Sequence, residues 1–264
     1  MPKKKGGKKV NIIGGISFPG RIAILSDHYQ AIAVWTRVKG KEGPVAIVRR
    51  LPMKSVAHPT LKHKWLPIPR VVRLFAFLFL AGNWFIKLFL ILVVVGEVVQ
   101  IVFPPSVDVV ETVYLSPFFI ATIYMFYIVL IIWFARFMAA TRAWHGAEHM
   151  AIETYRQTGQ SSIKSIAKFS PVSPYCGGRL FAPFLLIAFL APALALTYGI
   201  NDFLVTLVGL EIVLWIDALI GFYRIPIFRE AAWLLQKYIT TKKPSERELK
   251  TAHLALRELI KAHE

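Results

Sequence analysis

Residues 117–150 read PFFIATIYMFYIVLIIWFARFMAATRAWHGAEHM, an apolar run that passes without a break into Trp144-His145-Gly146-Ala147-Glu148-His149-Met150. The stretch predicts a membrane span over about 117–138, followed directly by a helix that carries the motif where the span meets the cytosol. On a helix two histidines four apart share a face, one turn of about 5.4 Å between them, and both imidazoles can reach one ion. Glu148, three after His145, leans over the same groove, where it could take a proton from an attacking water. The pattern is H-x-x-E-H, in which the histidines are metal ligands and the glutamate is the general base. Glu153 extends the polar stripe by one more turn and is the first choice of third ligand. A polar cluster that only tethers one helix to the next is the competing reading.

Outward from this stretch the composition is divided. The 264 residues are 56% hydrophobic, yet the formal charge is +17. Residues 74–135 carry only Lys87, Glu97, Asp108 and Glu111 as charged groups. Such segregation predicts a mainly α, polytopic helical membrane protein with about four spans, a small N-terminal cytosolic β element and a C-terminal amphipathic helix. The spans are expected near 88–103, 117–138, 180–198 and 203–223, with a re-entrant segment near 72–86 because Lys87 is costly at a bilayer centre. Lys and Arg number 15 in residues 1–71, 5 in 139–180 and 9 in 223–264, against none in the loops 104–115 and 199–203. By the positive-inside rule this predicts a multi-pass plasma-membrane protein with both termini and the histidine motif in the cytosol.

Four regions follow from these shifts: a basic flexible tail (1–13), a β-rich element and connector (14–71), a membrane domain carrying the motif (72–227) and C-terminal helices (228–264). The tail, with Lys3, Lys4, Lys5, Lys8 and Lys9, suits anionic lipid, a ribosome or a translocase. Sequence-specific nucleic-acid binding is not expected, since the basic charge flanks apolar spans. Short β-rich runs are expected at Arg21–Leu25, Ala31–Trp35 and Val45–Val48, the last two joined by a turn over 38–44. Ser245-Glu246-Arg247-Glu248 is a capping box, and Leu249, Ala252, Leu256, Leu259 and Ile260 then fall on one helix face. Cys176 is the only cysteine and cannot form an intramolecular disulfide.

Several segments together resemble the YqhQ-like membrane protein family, domain-of-unknown-function family 1385. They are Gly14-Gly15, Pro67-Ile68-Pro69-Arg70, His145-Gly146-Ala147-Glu148-His149, Cys176-Gly177 and the tail pattern around Gln236, Thr240-Thr241, Pro244 and Ala252–Leu256. The resemblance implies a predicted metal-dependent enzyme and transfers site roles to His145, Glu148, His149 and Cys176. This chain departs from the pattern at Ser17-Phe18-Pro19, which lacks a carboxylate, at Met150 and at Arg156.

Three functions can be weighed on these residues. A zinc-dependent hydrolase would use His145 and His149 as ligands, Glu148 as base and Glu153 as third ligand, with Cys176, Glu97 and Glu230 in reserve. Its substrate would be a lipid, a lipid-linked precursor or a membrane peptide. A non-catalytic scaffold or biogenesis factor would use the same residues as a structural metal clip or polar network. An ion transporter would instead depend on Glu97, Glu211 and Asp217 within the apolar segments.

Overall fold

A computed structural model describes residues 10–38, 40–51, 68–81, 87, 88, 91, 95, 117–199 and 201–264. The basic tail before Val10, most of the connector, most of the segment after Ala81, Glu97 included, and the acidic loop 104–115 lie outside the described residues. The chain divides into two compact units, Met1–Ser55 with Met138–Pro183 and Ile220–Glu264, and Val56–Phe137 with Phe184–Leu219.

The first unit begins with a four-stranded antiparallel meander, β1 (Ile12–Phe18), β2 (Arg21–Ser26), β3 (Tyr29–Val38) and β4 (Lys41–Arg50), in the order β1-β2-β3-β4. Pro19-Gly20 closes the first hairpin, Phe18 pairing with Arg21 and Gly20 taking φ 78°, the positive value that the third position of such a turn requires. The β3–β4 hairpin is tighter than the sequence suggests. Val38 pairs with Lys41, so Gly43 and Pro44 lie within β4 and not in a turn over 38–44. Pro44 is tolerated because, among the described residues, β4 is an edge strand of the sheet. β1 is not among the expected runs, since its two glycines disguise a strand.

The alternation of β2 and β3 buries Ile22, Ile24, Ala31 and Ala33 on one face. Against them lie two helices of the same unit: the C-terminal half of α2 (Pro117–Thr158), through Trp144, Ala147, Met150, Ala151 and Tyr155, and α7 (Glu246–Lys261), through Ala252, Ala255, Leu256 and Leu259. The expected apolar face of the C-terminal helix is thus its docking face. Its capping box forms as read, Ser245 N donating to Glu248 Oε2 at 2.8 Å. Between these helices come the short α3 (Ile163–Ile166), a 3₁₀ turn at Gly177–Leu180, α6 (Pro226–Leu235) and a π-type turn at Gln236–Thr240.

The second unit contains α1 (Arg70–Ala81), α4 (Phe181–Tyr198, from Phe184 onward) and α5 (Asp202–Leu219), besides the first half of α2. Glu211 of α5 caps α1, accepting from the backbone amides of Arg70 (2.9 Å) and Val71 (2.7 Å). The guanidinium of Arg70 lies 4.4 Å over the ring of Trp215.

The expectation of a polytopic, multi-pass membrane protein is overturned by the helices themselves. Among the described residues no helix is long and apolar enough to cross a membrane. The reason differs by segment. The run from Val71, read as re-entrant, is described as a helix of 12 residues. α4 and α5 have 18 residues each, about 27 Å at 1.5 Å per residue, against a hydrocarbon layer of about 30 Å. The second also carries two acidic residues, Glu211 and Asp217. The run 117–138 is no free-standing span but the start of a 42-residue helix whose other half carries the polar motif.

Candidate metal centre

The motif occupies the half of α2 that packs in the first unit. There the chain must accommodate two histidines and a glutamate with little water, and it does so with backbone. His145 Nδ1 lies 3.0 Å from the carbonyl of Thr240, and His149 Nδ1 lies 2.8 Å from the carbonyl of Pro171. A carbonyl oxygen only accepts, so each Nδ1 carries the proton and each Nε2 is left with a lone pair. The two rings stand 4.3 Å apart between centroids.

Thr240 reaches His145 because the chain ends α6 in a π-type turn. Thr241 donates from both its amide (2.9 Å) and its hydroxyl (2.8 Å) to the Gln236 carbonyl, which leaves the Thr240 carbonyl to turn toward α2. Gly146 makes room for this approach: a Cβ there would come within 2.3 Å of the Lys242 carbonyl oxygen. Arg142, one turn earlier, donates to the Thr241 carbonyl at 3.2 Å and accepts at its own carbonyl from Lys242 N at 3.1 Å.

The third donor comes from the loop after α3. Cys176 Sγ lies 3.6 Å from His145 Nε2, and the nearest ligand atoms of His145, His149 and Cys176 all fall within 4.8 Å of one another. Two ligands of one tetrahedral zinc, with Zn–N of about 2.05 Å and Zn–S of about 2.3 Å, stand about 3.5 Å apart. The sulfur and Nε2 are therefore already at ligand spacing. Neutral imidazoles, a thiol and second nitrogens tied to carbonyls make a donor set suited to zinc.

Burial dominates the electrostatics. It pushes the Cys176 thiol up to about 11, the Gly178 amide opposing and the charge of Glu148 adding to the rise. It pushes His149 down to about 3, with His145 and Arg156 contributing and the Pro171 carbonyl opposing, and it lowers His145 too. All three groups are neutral at pH 7, and a bound dication would draw the proton off the sulfur.

Glu148 stands beside this set and not within it. Its carboxyl is buried against β1, where a Cβ on Gly15 would lie 2.6 Å from Oε1, and the Ser17 side chain hydrogen-bonds to it. Burial raises it to about 8, Ser17 only partly offsetting the rise. Gly15 is the close-approach glycine that lets this carboxyl in, and Ser17, two residues on, supplies its hydrogen bond.

The other candidates fall elsewhere. Glu153 accepts from Gln157 Nε2 at 2.6 Å and is outside the three-donor group. Glu230 is exposed and pairs with its neighbour Arg229 at 3.1 Å. Glu211 caps α1, and Asp217 is buried in α5, both in the second unit. Sequence reading missed Gly15, Ser17 and the carbonyls of Pro171 and Thr240. Only the paired glycines gave a signal, because carbonyl contacts leave no mark on residue identity.

Comparison with known families adds one finding. The model of the family described as a protein of unknown function (DUF1385) matches residues 70–262. The chain belongs to this family. Its match takes in the histidine motif, Cys176 and the Thr240 turn but begins after the sheet that holds Glu148. Searches of curated proteins and of solved structures gave no match.

Proposed function

We propose that the chain is a metal-dependent hydrolase whose zinc is held by His145 Nε2, His149 Nε2 and Cys176 Sγ, with a fourth position left for water and substrate. The observation that carries this is the 3.6 Å spacing of Cys176 Sγ and His145 Nε2, with both Nδ1 atoms committed to carbonyls. Bound zinc supplies Lewis acidity and makes water a nucleophile near neutral pH. The chain's own part is to hold the imidazoles in one tautomer, to exclude bulk water by burying His149 and Cys176, and to keep a carboxyl that titrates close to neutrality. Glu148, at about 8 before any dication is near, is the group that would take and return the proton.

A second reading uses the same short contact, the thiol donating to His145 Nε2 as in a cysteine–histidine nucleophile pair. The titration directions oppose it: burial raises the thiol and lowers the imidazole, so the proton stays on sulfur and the thiolate nucleophile is scarce. A structural zinc clip shares the ligands and differs in Glu148.

The test is a chromogenic panel of carboxylic and phosphoric esters assayed with zinc-loaded protein and with Glu148→Gln. A hydrolase keeps its zinc in Glu148→Gln and loses turnover. Wild-type protein that holds zinc but cleaves nothing in the panel, and is equally stable as Glu148→Gln, supports the clip.

A further inference from the structure

Next to the centre, within the same unit, lies a cavity of about 350 Å³, a volume in the range of small-molecule pockets. Ser170, Val172, Ser173 and Pro174 line it, on either side of Pro171, whose carbonyl holds His149. Arg229, Glu230 and Trp233 of α6 and Tyr223 line it too. Arg179 joins the cavity to the centre, its Nη1 donating to the carbonyls of Tyr175 (2.9 Å) and of the ligand residue Cys176 (3.2 Å).

The lining selects a chemistry. Arg179 and Arg229 face one carboxylate, Glu230, so the cavity is net positive, and the whole chain at +17 steers anions toward it. The Arg229–Glu230 pair is exposed and between adjacent residues, a weak pairing that an incoming oxyanion can replace. Gln236 is buried and lines the cavity. Its Oε1 accepts from the Ser173 amide at 2.9 Å, and its side-chain amide nitrogen is a donor by type. Trp233, Val172 and Ala232 offer apolar surface beside these polar groups. Cations, a donor and an indole together fit a molecule with an oxyanion head and an apolar body.

We infer that this cavity is the substrate-recognition pocket of the zinc centre and that it takes an anionic amphiphile, a phosphate or carboxylate joined to an apolar chain. The inference rests on the hydrolase reading for its link to the metal, while the ligand class rests on the cavity alone. The head is held by Arg229, Arg179 and Gln236 and the chain lies along Trp233.

Titration calorimetry of the full chain, below the micelle concentration, tests this with dodecyl phosphate and dodecanoate as probes, against inorganic phosphate and dodecanol. Saturable binding of both amphiphiles is expected, at least about tenfold tighter than either half-molecule. Arg229→Gln and Trp233→Ala should each weaken it about tenfold, and Glu230→Gln should tighten it two- to threefold by releasing Arg229, about as charge-assisted contacts allow. The gain in Glu230→Gln cannot come from misfolding. Zinc content should be unchanged in all three.

Equal binding of dodecanol would overturn the anionic head, equal binding of inorganic phosphate the apolar body, and unchanged affinity in all three variants the pocket itself. Dodecyl phosphate bound by a protein that holds no zinc would sink the hydrolase reading and leave the ligand class standing. Zinc held without amphiphile binding would do the reverse.

Discussion

Two glutamates on helices of this protein, Glu148 and Glu211, meet opposite surroundings. Glu211 accepts two backbone amides at the start of α1, groups that every helix start leaves over. Glu148 is more deeply buried, has one hydroxyl partner in Ser17, and is raised to about 8. The first carboxylate is spent on holding a helix. The second keeps its proton because burial outweighs the one hydroxyl that stabilises its charge, and a dication at Cys176 and His145 would oppose that. An acid left under-satisfied beside three potential ligands is the kind a catalyst keeps.

The comparison can be broken in four ways. The largest effect is expected on turnover: Glu148→Gln should lower the rate by about 10²–10⁴-fold at unchanged zinc content, while Glu211→Gln leaves the rate alone. Steady-state kinetics on the ester panel measures both. Next, Glu211→Ala should cost roughly 2–3 kcal/mol in denaturant unfolding, because two helix-start amides lose a charged acceptor.

The third way is pH. The raised carboxyl of Glu148 stabilises the metal-free fold fully below its ordinary value of 4.5, and that contribution is lost as pH rises through about 8. Between pH 7.5 and 8.5 His149, held near 3 in the fold, and the unfolded histidines, ordinarily near 6.5, are all almost wholly neutral, so the loss there is chiefly Glu148's, on the order of 1 kcal/mol. Chelator-treated wild type should show it in urea titrations, and Glu148→Gln should be nearly flat. Last, Gly15→Ala places a Cβ 2.6 Å from Oε1 and should cost about 1–2 kcal/mol while lowering turnover without loss of zinc.

Helical spacing alone brought the rings of His145 and His149 together, since four residues make about one turn, whereas Glu148, read on the same groove, is buried against β1. Cys176 was legible only as a reserve: its approach to His145 depends on where the loop after α3 folds back, a tertiary contact across 31 positions. Glu153, favoured because it continued the stripe, lies one turn too far along and turns to Gln157. The C-terminal helix was readable to its capping box and docking face, because both are local patterns. The apolar runs misled on membrane spans. Hydropathy counts residues, whereas crossing a bilayer needs one long apolar helix, and among the described residues none is long and apolar enough. In β1, Gly14 and Gly15 hide a strand whose purpose is to admit a carboxyl from a helix far along the chain.

The central claim is that His145, His149 and Cys176 hold one ion. Its most direct test is elemental analysis with zinc K-edge absorption spectroscopy on the purified full chain. One zinc per chain with two nitrogen ligands at about 2.05 Å and one sulfur at about 2.3 Å is the expected result, lost in the double variant His145→Ala, His149→Ala. A folded wild-type chain that takes up no zinc from an equimolar solution, or binds it without a sulfur ligand, would contradict it.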